Sequence, residues 1–127
     1  MEEIKKEIER AEKSLRAAKM LFEEKLYEDS ISRSYYSILH AAKAALLMEG
    51  INATSHDAVK NLFGLHLVKT GKIERKYSVI FREEQDDRYL ADYDTAFSPS
   101  EEQVKKRIED AELFFNAMRS YIGVENA

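Results

Sequence analysis

Arg33 and His40 are the two residues of this 127-residue chain whose types and spacing most clearly suggest chemistry. They stand seven positions apart, so on an α-helix they project from nearly the same direction, two turns apart. Arginine stays charged and offers a planar fork of donors to phosphate oxygens. Histidine titrates near neutral pH and can exchange a proton with a reacting oxygen. Taken alone, such a pair is also typical of an ion pair or a packed interface, and both interpretations stay open.

Three neighbours of this pair are candidate binding residues. Tyr36 lies beside His40 and could stack on a base, or it could pack across an interface with its hydroxyl hydrogen-bonded. Ser37 falls on the same predicted face. Lys43, one turn after His40, could contact phosphate or be an ordinary solvated lysine. Tyr35 falls on the opposite side of the helix and is predicted to be a core residue.

These residues belong to the stretch Tyr27 to Gly50, which reads as one helix of about 22 residues that is apolar on almost every side. Its core stripe consists of Ile31, Tyr35, Leu39, Ala42 and Leu46. A helix that is apolar all round is normally buried by two different partners. Because a small domain is expected to cover one face only, we predict that the face with Arg33 and His40 meets something else.

Two further helices are predicted around this one. Residues 3–24 repeat apolar side chains at steps of three and four, with charged residues between them. Another helix is predicted from a Ser55 cap to about Lys69. His66 is among its candidate inward residues, and Gly64 lies inside it as a possible interruption.

The last third of the chain predicts two more helices. One begins at about Ile73, and its charge-rich continuation over residues 82–93 could fray or loop out. The other has the clearest start in the chain, with Ser98 as the cap, Pro99 at the first helical position and Glu101 completing a capping box.

The predicted fold is therefore all-α, an up-and-down antiparallel bundle of four to five helices in a single domain, residues 1–127. No cysteine is present, which excludes disulfides, thiolate catalysis and cysteine-based zinc sites, and fits a cytoplasmic location. No apolar run approaches the roughly 18 residues of a membrane span. Abundant Glu and Lys indicate a thermophile. The net charge of −4 argues against broad attraction to nucleic acid, although a local basic groove could still bind it.

No metal site or cofactor is predicted. His56 and His66 are scattered and lack a carboxylate constellation, and His56, at a helix start, is expected to face solvent. The acidic run Glu83 to Asp87 is expected to be a solvated face. There is no phosphate-binding glycine loop.

The sequence S-R-S-Y-Y-S-I-L-H-A-A-K-A-A-L-L, residues 32–47, resembles the signature helix of the HEPN domain family. The run Arg-Tyr-Leu-Ala-Asp-Tyr, residues 88–93, resembles its second, weaker element. The resemblance covers about residues 3–122, and it is strongest to short stand-alone prokaryotic members encoded beside a minimal nucleotidyltransferase.

This resemblance implies that Arg33 and His40 cleave RNA without a metal, by attack of the 2′-hydroxyl on the adjacent phosphate. It also implies a homodimer through this helix face, which would gather two copies of each residue in one cleft. Arg88 would brace or line that cleft; its alternative is an ordinary helix ion pair with Asp92.

The chain departs from the family pattern at two positions. Many active members carry Asn, Asp or His directly after the arginine, where this chain has Ser34. The toxins tend to carry a tyrosine two residues after the histidine, the site that their nucleotidyltransferase partner modifies, where this chain has Ala42.

Three functions remain to be compared. The first is a metal-independent endoribonuclease, the toxin half of a toxin–antitoxin pair. The second is a non-catalytic HEPN module that binds a nucleotide or docks onto a nucleotidyltransferase. The third is a plain helical interaction protein in which Arg33 and His40 are structural.

Overall fold

The computed structural model describes residues 1–123, and these residues form five α-helices and no strand. The helices are α1 Glu2–Glu23, α2 Tyr27–Met48, α3 His56–Phe63, α4 Arg75–Tyr93 and α5 Glu101–Ile122. The predicted all-α bundle is confirmed. The predicted domain of residues 1–127 extends into residues 124–127, which lie outside the described part. No helix within residues 1–123 is both long and apolar enough to cross a membrane.

Neighbouring helices in the first half of the bundle run in opposite directions. Residues 24–26 join α1 to α2 in a tight connection. Just after it, the hydroxyl of Ser30 donates to the carbonyl of Ala18 at 2.7 Å, which ties the start of α2 to the end of α1. The start of α2 also meets the end of α4, because the hydroxyl of Ser32 lies 2.5 Å from Oδ1 of Asp92. Both α1 and α4 therefore run antiparallel to α2.

Helix α2 is the centre of the bundle and packs against α1, α3, α4 and α5. The expectation that its own domain would cover only one face is wrong, because four helices of the same chain surround it. Its many Ser and Ala side chains are small enough to let these helices approach closely. Between Arg33 and its C-terminal turn, one narrow stripe stays open. This open stripe of α2 consists of Arg33, Tyr36, His40, Lys43 and Leu47.

An aromatic cluster fills the middle of the core. Tyr35 has no exposed surface, as predicted, and its ring centroid lies 6.3 Å from that of Phe81. Phe114 of α5 lies 6.0 Å from Phe81 and 5.4 Å from Phe63, with edge-to-face or tilted geometry. Such ring pairs add about 0.5–1.5 kcal/mol beyond their buried area. The cluster fixes α2, α3, α4 and α5 relative to one another.

The third helix begins as predicted and ends differently. Ser55 caps it by accepting a hydrogen bond from the backbone N–H three residues later at 3.0 Å. Over Gly64–Val68 the backbone widens into a π-helical turn, where the N–H of Lys69 bonds the carbonyl five residues earlier. The extra residue in this turn shifts the face that points inward. Leu67 is therefore buried, and His66, a candidate inward residue, is exposed.

Helix α4 starts later than predicted and is continuous to Tyr93, so the expected fraying over residues 82–93 is wrong. Ile73 lies before the helix, where its N–H bonds the carbonyl of Leu67 at 2.9 Å. In the second half of α4, Arg88 pairs with Asp92 of the same helix, and Glu83 and Asp87 lie at ion-pair distance from Arg107 of α5. These contacts oppose fraying.

The acidic run of α4 is only in part the solvated face that was predicted, because Glu83 and Asp86 are exposed whereas Glu84 is buried. Arg107 of α5 lies against the run, with Nε 3.4 Å from Oδ2 of Asp87 and Nη1 3.9 Å from Oε1 of Glu83. Glu84 points into the core with no exposed surface. Within residues 1–123, neither of its carboxyl oxygens has a hydrogen-bond partner.

The start of α5 lies two residues after the predicted one. Ser100 is the cap, and its hydroxyl accepts a hydrogen bond from the N–H of Gln103 at 3.1 Å. Ser98 and Pro99 therefore precede the helix, and Glu101 opens it. The order Ser-x-x-Gln is itself that of a capping box. Pro99 is buried just before the helix.

Candidate active site

An open groove of about 710 Å³ runs between α1 and α2 along the open stripe of α2. We call it the α1–α2 groove. Helix α2 lines it with Arg33, Tyr36 and His40, and α1 lines it with Lys6, Glu9, Arg10, Lys13, Ser14 and Ala17. The structure therefore brings together the two predicted catalytic residues and one of the four predicted binding residues.

His40 is held in the groove by a carboxylate of α1. Its side chain is 16% exposed, and its Nδ1 lies 2.8 Å from Oε1 of Glu7. Burial raises the pKa of Glu7, but the hydrogen bond and charge of His40 and the charge of Lys43 outweigh it, so the pKa lies below its usual value. An ionised carboxylate only accepts hydrogen bonds, so Nδ1 of His40 carries the proton. The other ring nitrogen, Nε2, is left to act on a ligand.

Arg33 is exposed and faces the groove beside Tyr36. Its guanidinium carbon lies 4.7 Å from the centroid of the Tyr36 ring, a cation–π contact. Within residues 1–123, no carboxylate lies at ion-pair distance from Arg33. Its fork of donors is thus available to an anionic ligand.

Arg88 supports Tyr36 from behind rather than lining the groove. Its Nη2 donates to the hydroxyl of Tyr36 at 3.1 Å, and its guanidinium carbon lies 5.2 Å from the centroid of Tyr35. Its Nε lies 3.0 Å from Oδ2 of Asp92, so the helix ion pair weighed as its alternative is present. This geometry gives Arg88 a bracing position, and Arg88 lines a separate cavity of about 580 Å³ between the start of α3 and α4.

Ser37 and Lys43 lie outside the α1–α2 groove. Ser37 has no exposed surface, so a ligand does not reach it in this fold, and the prediction that it contacts RNA or a nucleotide loses its geometric basis. The reason is that α2 is covered on more sides than expected, which narrows its open stripe. Lys43 lies at the edge of a neighbouring cavity of about 180 Å³, with its Nζ 3.4 Å from Oε2 of Glu7.

His56 is not the solvent-facing residue that was predicted. It is half-buried against α2, and its Nδ1 lies 3.2 Å from the hydroxyl of Tyr35. Burial and the nearby charge of Arg88 lower the pKa of His56, and burial raises the pKa of Tyr35 to about 12. The neutral imidazole and the phenol form a fixed layer beneath Tyr36, whose ring meets that of His56 edge-on at 5.8 Å.

Glu7 and the cations of α1 were missed from the sequence. They belong to an amphipathic helix in which charged residues at these positions read as a solvated face. Only the register of α1 against α2 places them beside Arg33 and His40. Within residues 1–123, no group of three or more His, Asp or Glu side chains is arranged to hold a metal ion.

Comparison with known proteins gives one family and several relatives. A family model described as "HEPN domain" matches residues 4–121. The Methanocaldococcus jannaschii protein named "Putative toxin MJ0605" is 44% identical over 118 residues, which cover 93% of this chain and 87% of that protein. A second protein of that organism, "Putative toxin MJ0142", is 32% identical and covers 98% and 84%. A Thermotoga maritima protein named "UPF0332 protein" is 31% identical and covers 89% and 86%.

Proposed function

Because the chain belongs to the HEPN domain family, we propose that it is a metal-independent endoribonuclease with a toxin-like role. One observation carries the proposal. The α1–α2 groove joins Arg33, which has no ion-pair partner among residues 1–123, the aromatic face of Tyr36, and His40, whose Nδ1 is held by the carboxylate of Glu7. These are a phosphate binder, a base-stacking surface and an oriented acid–base group.

The groove supports a simple reaction. Arg33 binds the phosphate oxygens and stabilises the negative charge that grows in the transition state. The 2′-oxygen forms a bond to phosphorus while the bond from phosphorus to the departing 5′-oxygen breaks. Nε2 of His40 takes the proton of the 2′-hydroxyl, and the imidazolium so formed returns a proton to the departing oxygen. The products are a 2′,3′-cyclic phosphate and a free 5′-hydroxyl.

The first test is digestion of single-stranded RNA by the purified protein in the presence of EDTA. We expect cleavage, and we expect products that end in a 2′,3′-cyclic phosphate. The matched control substrate is DNA of the same sequence, which lacks the 2′-hydroxyl and should stay intact. RNA that remains whole in EDTA would contradict the endoribonuclease proposal.

Glu7 acts in this proposal as a positioning residue for His40. We expect Glu7→Ala to lower kcat about ten- to a hundredfold with little change in KM, since hydrogen bonds to charged groups contribute about 1.5–3 kcal/mol. Glu7→Gln keeps an acceptor oxygen and should recover part of the rate.

Nitrogen NMR of the His40 ring provides a readout that does not depend on activity. In the neutral imidazole of the wild type, the proton should be on Nδ1, whereas Glu7→Ala should give a mixture of tautomers. Glu9→Ala is the matched control, because Glu9 lines the same groove and makes no contact with His40 within ion-pair distance. An unchanged tautomer in Glu7→Ala would rule out the positioning role.

A homodimer through the open stripe of α2 and a minimal nucleotidyltransferase partner belong to the same proposal. The covering of α2 by its own chain removes the helix pattern as an argument for a second copy. The family resemblance is what supports the dimer, and the toxin names of the relatives fit a partner that silences the activity. A cytoplasmic location and a thermophilic source stay predictions from composition.

The second candidate function is a non-catalytic HEPN module that binds a nucleotide. The observation that favours it is the bracing of Tyr36 by Arg88 and His56, which gives a fixed aromatic face without requiring catalysis. Ser34 and Ala42, the two positions that depart from the family pattern, are both fully buried and cannot contact a ligand. A wild-type protein that binds RNA or a nucleotide without cleaving RNA would favour this candidate.

A further inference from the structure

Three cations of α1 follow the α1–α2 groove in a line. Lys6, Arg10 and Lys13 stand at steps of four and three residues, so they share one face of the helix, and all three line the groove. We call them the α1 basic row. Seven residues of α-helix extend about 10 Å, at about 1.5 Å per residue. Each of the three cations can neutralise one phosphate of a strand that follows the groove, so the row offers up to three phosphate contacts.

The charge of the groove is opposite in sign to that of the chain. The protein has 24 acidic and 20 basic residues, but among the described residues the groove is lined by four cations, the α1 basic row and Arg33, against the carboxylate of Glu9, with that of Glu7 bound to His40. Among the described residues, no carboxylate lies at ion-pair distance from any member of the row. Local potential, rather than net charge, governs the approach of a charged ligand.

The aromatic face beside the row favours one kind of ligand. Tyr36 lines the same groove and is fixed from behind by Arg88. A row of cations next to a fixed aromatic ring is the combination that binds single-stranded nucleic acid, with phosphates on the cations and a base on the ring. An acidic protein segment would use the cations and leave the ring without a function.

We propose that the α1 basic row binds the sugar–phosphate backbone of a single-stranded RNA and leads it across Arg33 and His40. This inference rests on the proposed function for its choice of RNA over DNA. It assigns to α1 a substrate-binding role that is separate from the catalytic role of α2. Backbone contacts of this kind contribute affinity and position without sequence preference.

A second groove of the same protein offers a matched control. It has a volume of about 370 Å³, lies between α3 and α4, and is lined by Lys60, Lys69 and Arg82 together with uncharged residues. It therefore has the same number of cations as the row, two lysines and one arginine, but the described residues that line it include neither a histidine nor an aromatic side chain.

The test measures binding separately from cleavage. A ten-nucleotide oligouridylate with 2′-O-methyl groups cannot be cleaved by the proposed reaction, and its binding is followed by fluorescence anisotropy at several KCl concentrations. The full chain is compared with the triple variant Lys6→Gln, Arg10→Gln, Lys13→Gln and with the control triple variant Lys60→Gln, Lys69→Gln, Arg82→Gln. Both variants lose three positive charges, and circular dichroism checks that both stay helical.

We expect the α1 variant to bind at least tenfold more weakly at low salt. Its slope of log affinity against log salt should fall by about 2, at about 0.7 for each lost phosphate contact to a single strand. The control variant should keep the wild-type slope.

Equal slopes in the two variants, or a wild type that does not bind the oligonucleotide, would overturn the inference. A row-dependent slope in a protein that does not cleave RNA in EDTA would support the row and count against the endoribonuclease. If the protein cleaves RNA in EDTA but the α1 variant keeps the wild-type slope of log affinity against log salt, the endoribonuclease proposal is supported and the role of the α1 basic row is rejected.

Discussion

We expect His40→Ala to lower the rate of RNA cleavage about a hundred- to ten-thousandfold, the usual contribution of a positioned acid–base group. The loss follows from the removal of the only imidazole that lines the α1–α2 groove within the described residues. The fold should survive, because Glu7 keeps Lys43 as a partner after the substitution. Initial rates in EDTA, with circular dichroism of the same samples, measure both effects.

His66→Ala is the matched control for this substitution. His66 is an exposed histidine on the π-helical turn and does not line the groove. Its replacement should leave the cleavage rate within about twofold. If His40→Ala and His66→Ala cleave RNA equally well, the activity belongs to another site or to a contaminant.

We expect substitution of Arg33 to lower the rate of RNA cleavage about as much as substitution of His40, for a different reason. Arg33→Ala removes the groove cation that is paired with an aromatic ring rather than a carboxylate, so the rate should fall by a similar factor. Arg33→Lys keeps the charge but loses the planar fork, and we expect it to recover only part of the rate. Full activity of Arg33→Lys would mean that charge alone is needed at this position.

The second large effect concerns stability and arises from Glu84. The carboxyl has no exposed surface and no hydrogen-bond partner within residues 1–123. Burial, and the negative charges of Asp110, Asp87 and Glu83, raise the pKa of Glu84 well above its usual value, although Arg107 acts to lower it. At pH values between its usual pKa and the raised one, Glu84 is therefore a neutral carboxyl in the folded core and a charged one in the unfolded chain.

The raised pKa of Glu84 determines whether the free energy of unfolding rises or falls with pH. Above about pH 4.5 the unfolded chain releases the proton of Glu84 while the folded protein keeps it, so its contribution favours unfolding as the pH rises toward the folded pKa. Below about pH 4.5 both states are protonated and this cost disappears. Glu7, whose pKa is lowered, has the opposite effect, because the stability it adds is lost as the pH falls.

We expect Glu84→Met to raise the free energy of unfolding by about 1–3 kcal/mol at pH 8, since it replaces a buried polar group that has no hydrogen-bond partner within residues 1–123 by an apolar side chain of similar length. The gain should be smaller at pH 5. Urea unfolding at the two pH values measures both. Glu109→Met is the control, because Glu109 is exposed on α5. If wild type and Glu84→Met lose stability in parallel between pH 5 and pH 8, Glu84 is not the group responsible.

Several features of the candidate site could be predicted from local sequence alone. The regular geometry of an α-helix determines that Arg33, Tyr36 and His40 share one direction, because residues three, four and seven apart lie on the same face. The apolar rhythm of residues 27–50 predicted the central helix, and the structure confirms it over Tyr27–Met48. The same spacing of apolar residues predicted that Tyr35 is a core residue.

The helix starts show where local reasoning fails. Ser98 and Ser100 are both good caps, and local sequence does not choose between them. In the structure Ser100 is the cap, α5 starts at Glu101, and Pro99 is buried just before the helix. Burial of Ser37 and Glu84 likewise depends on which helix covers which face.

The sequence by itself determined the all-α class, the central helix and the face that carries Arg33 and His40, because these follow from contacts within a few residues of each other. Only the tertiary structure decided what lies opposite that face. Glu7 meets His40 across 33 residues of chain, and Arg88 meets Tyr36 across 52. Such pairs depend on the register and packing of whole helices, which no local pattern specifies.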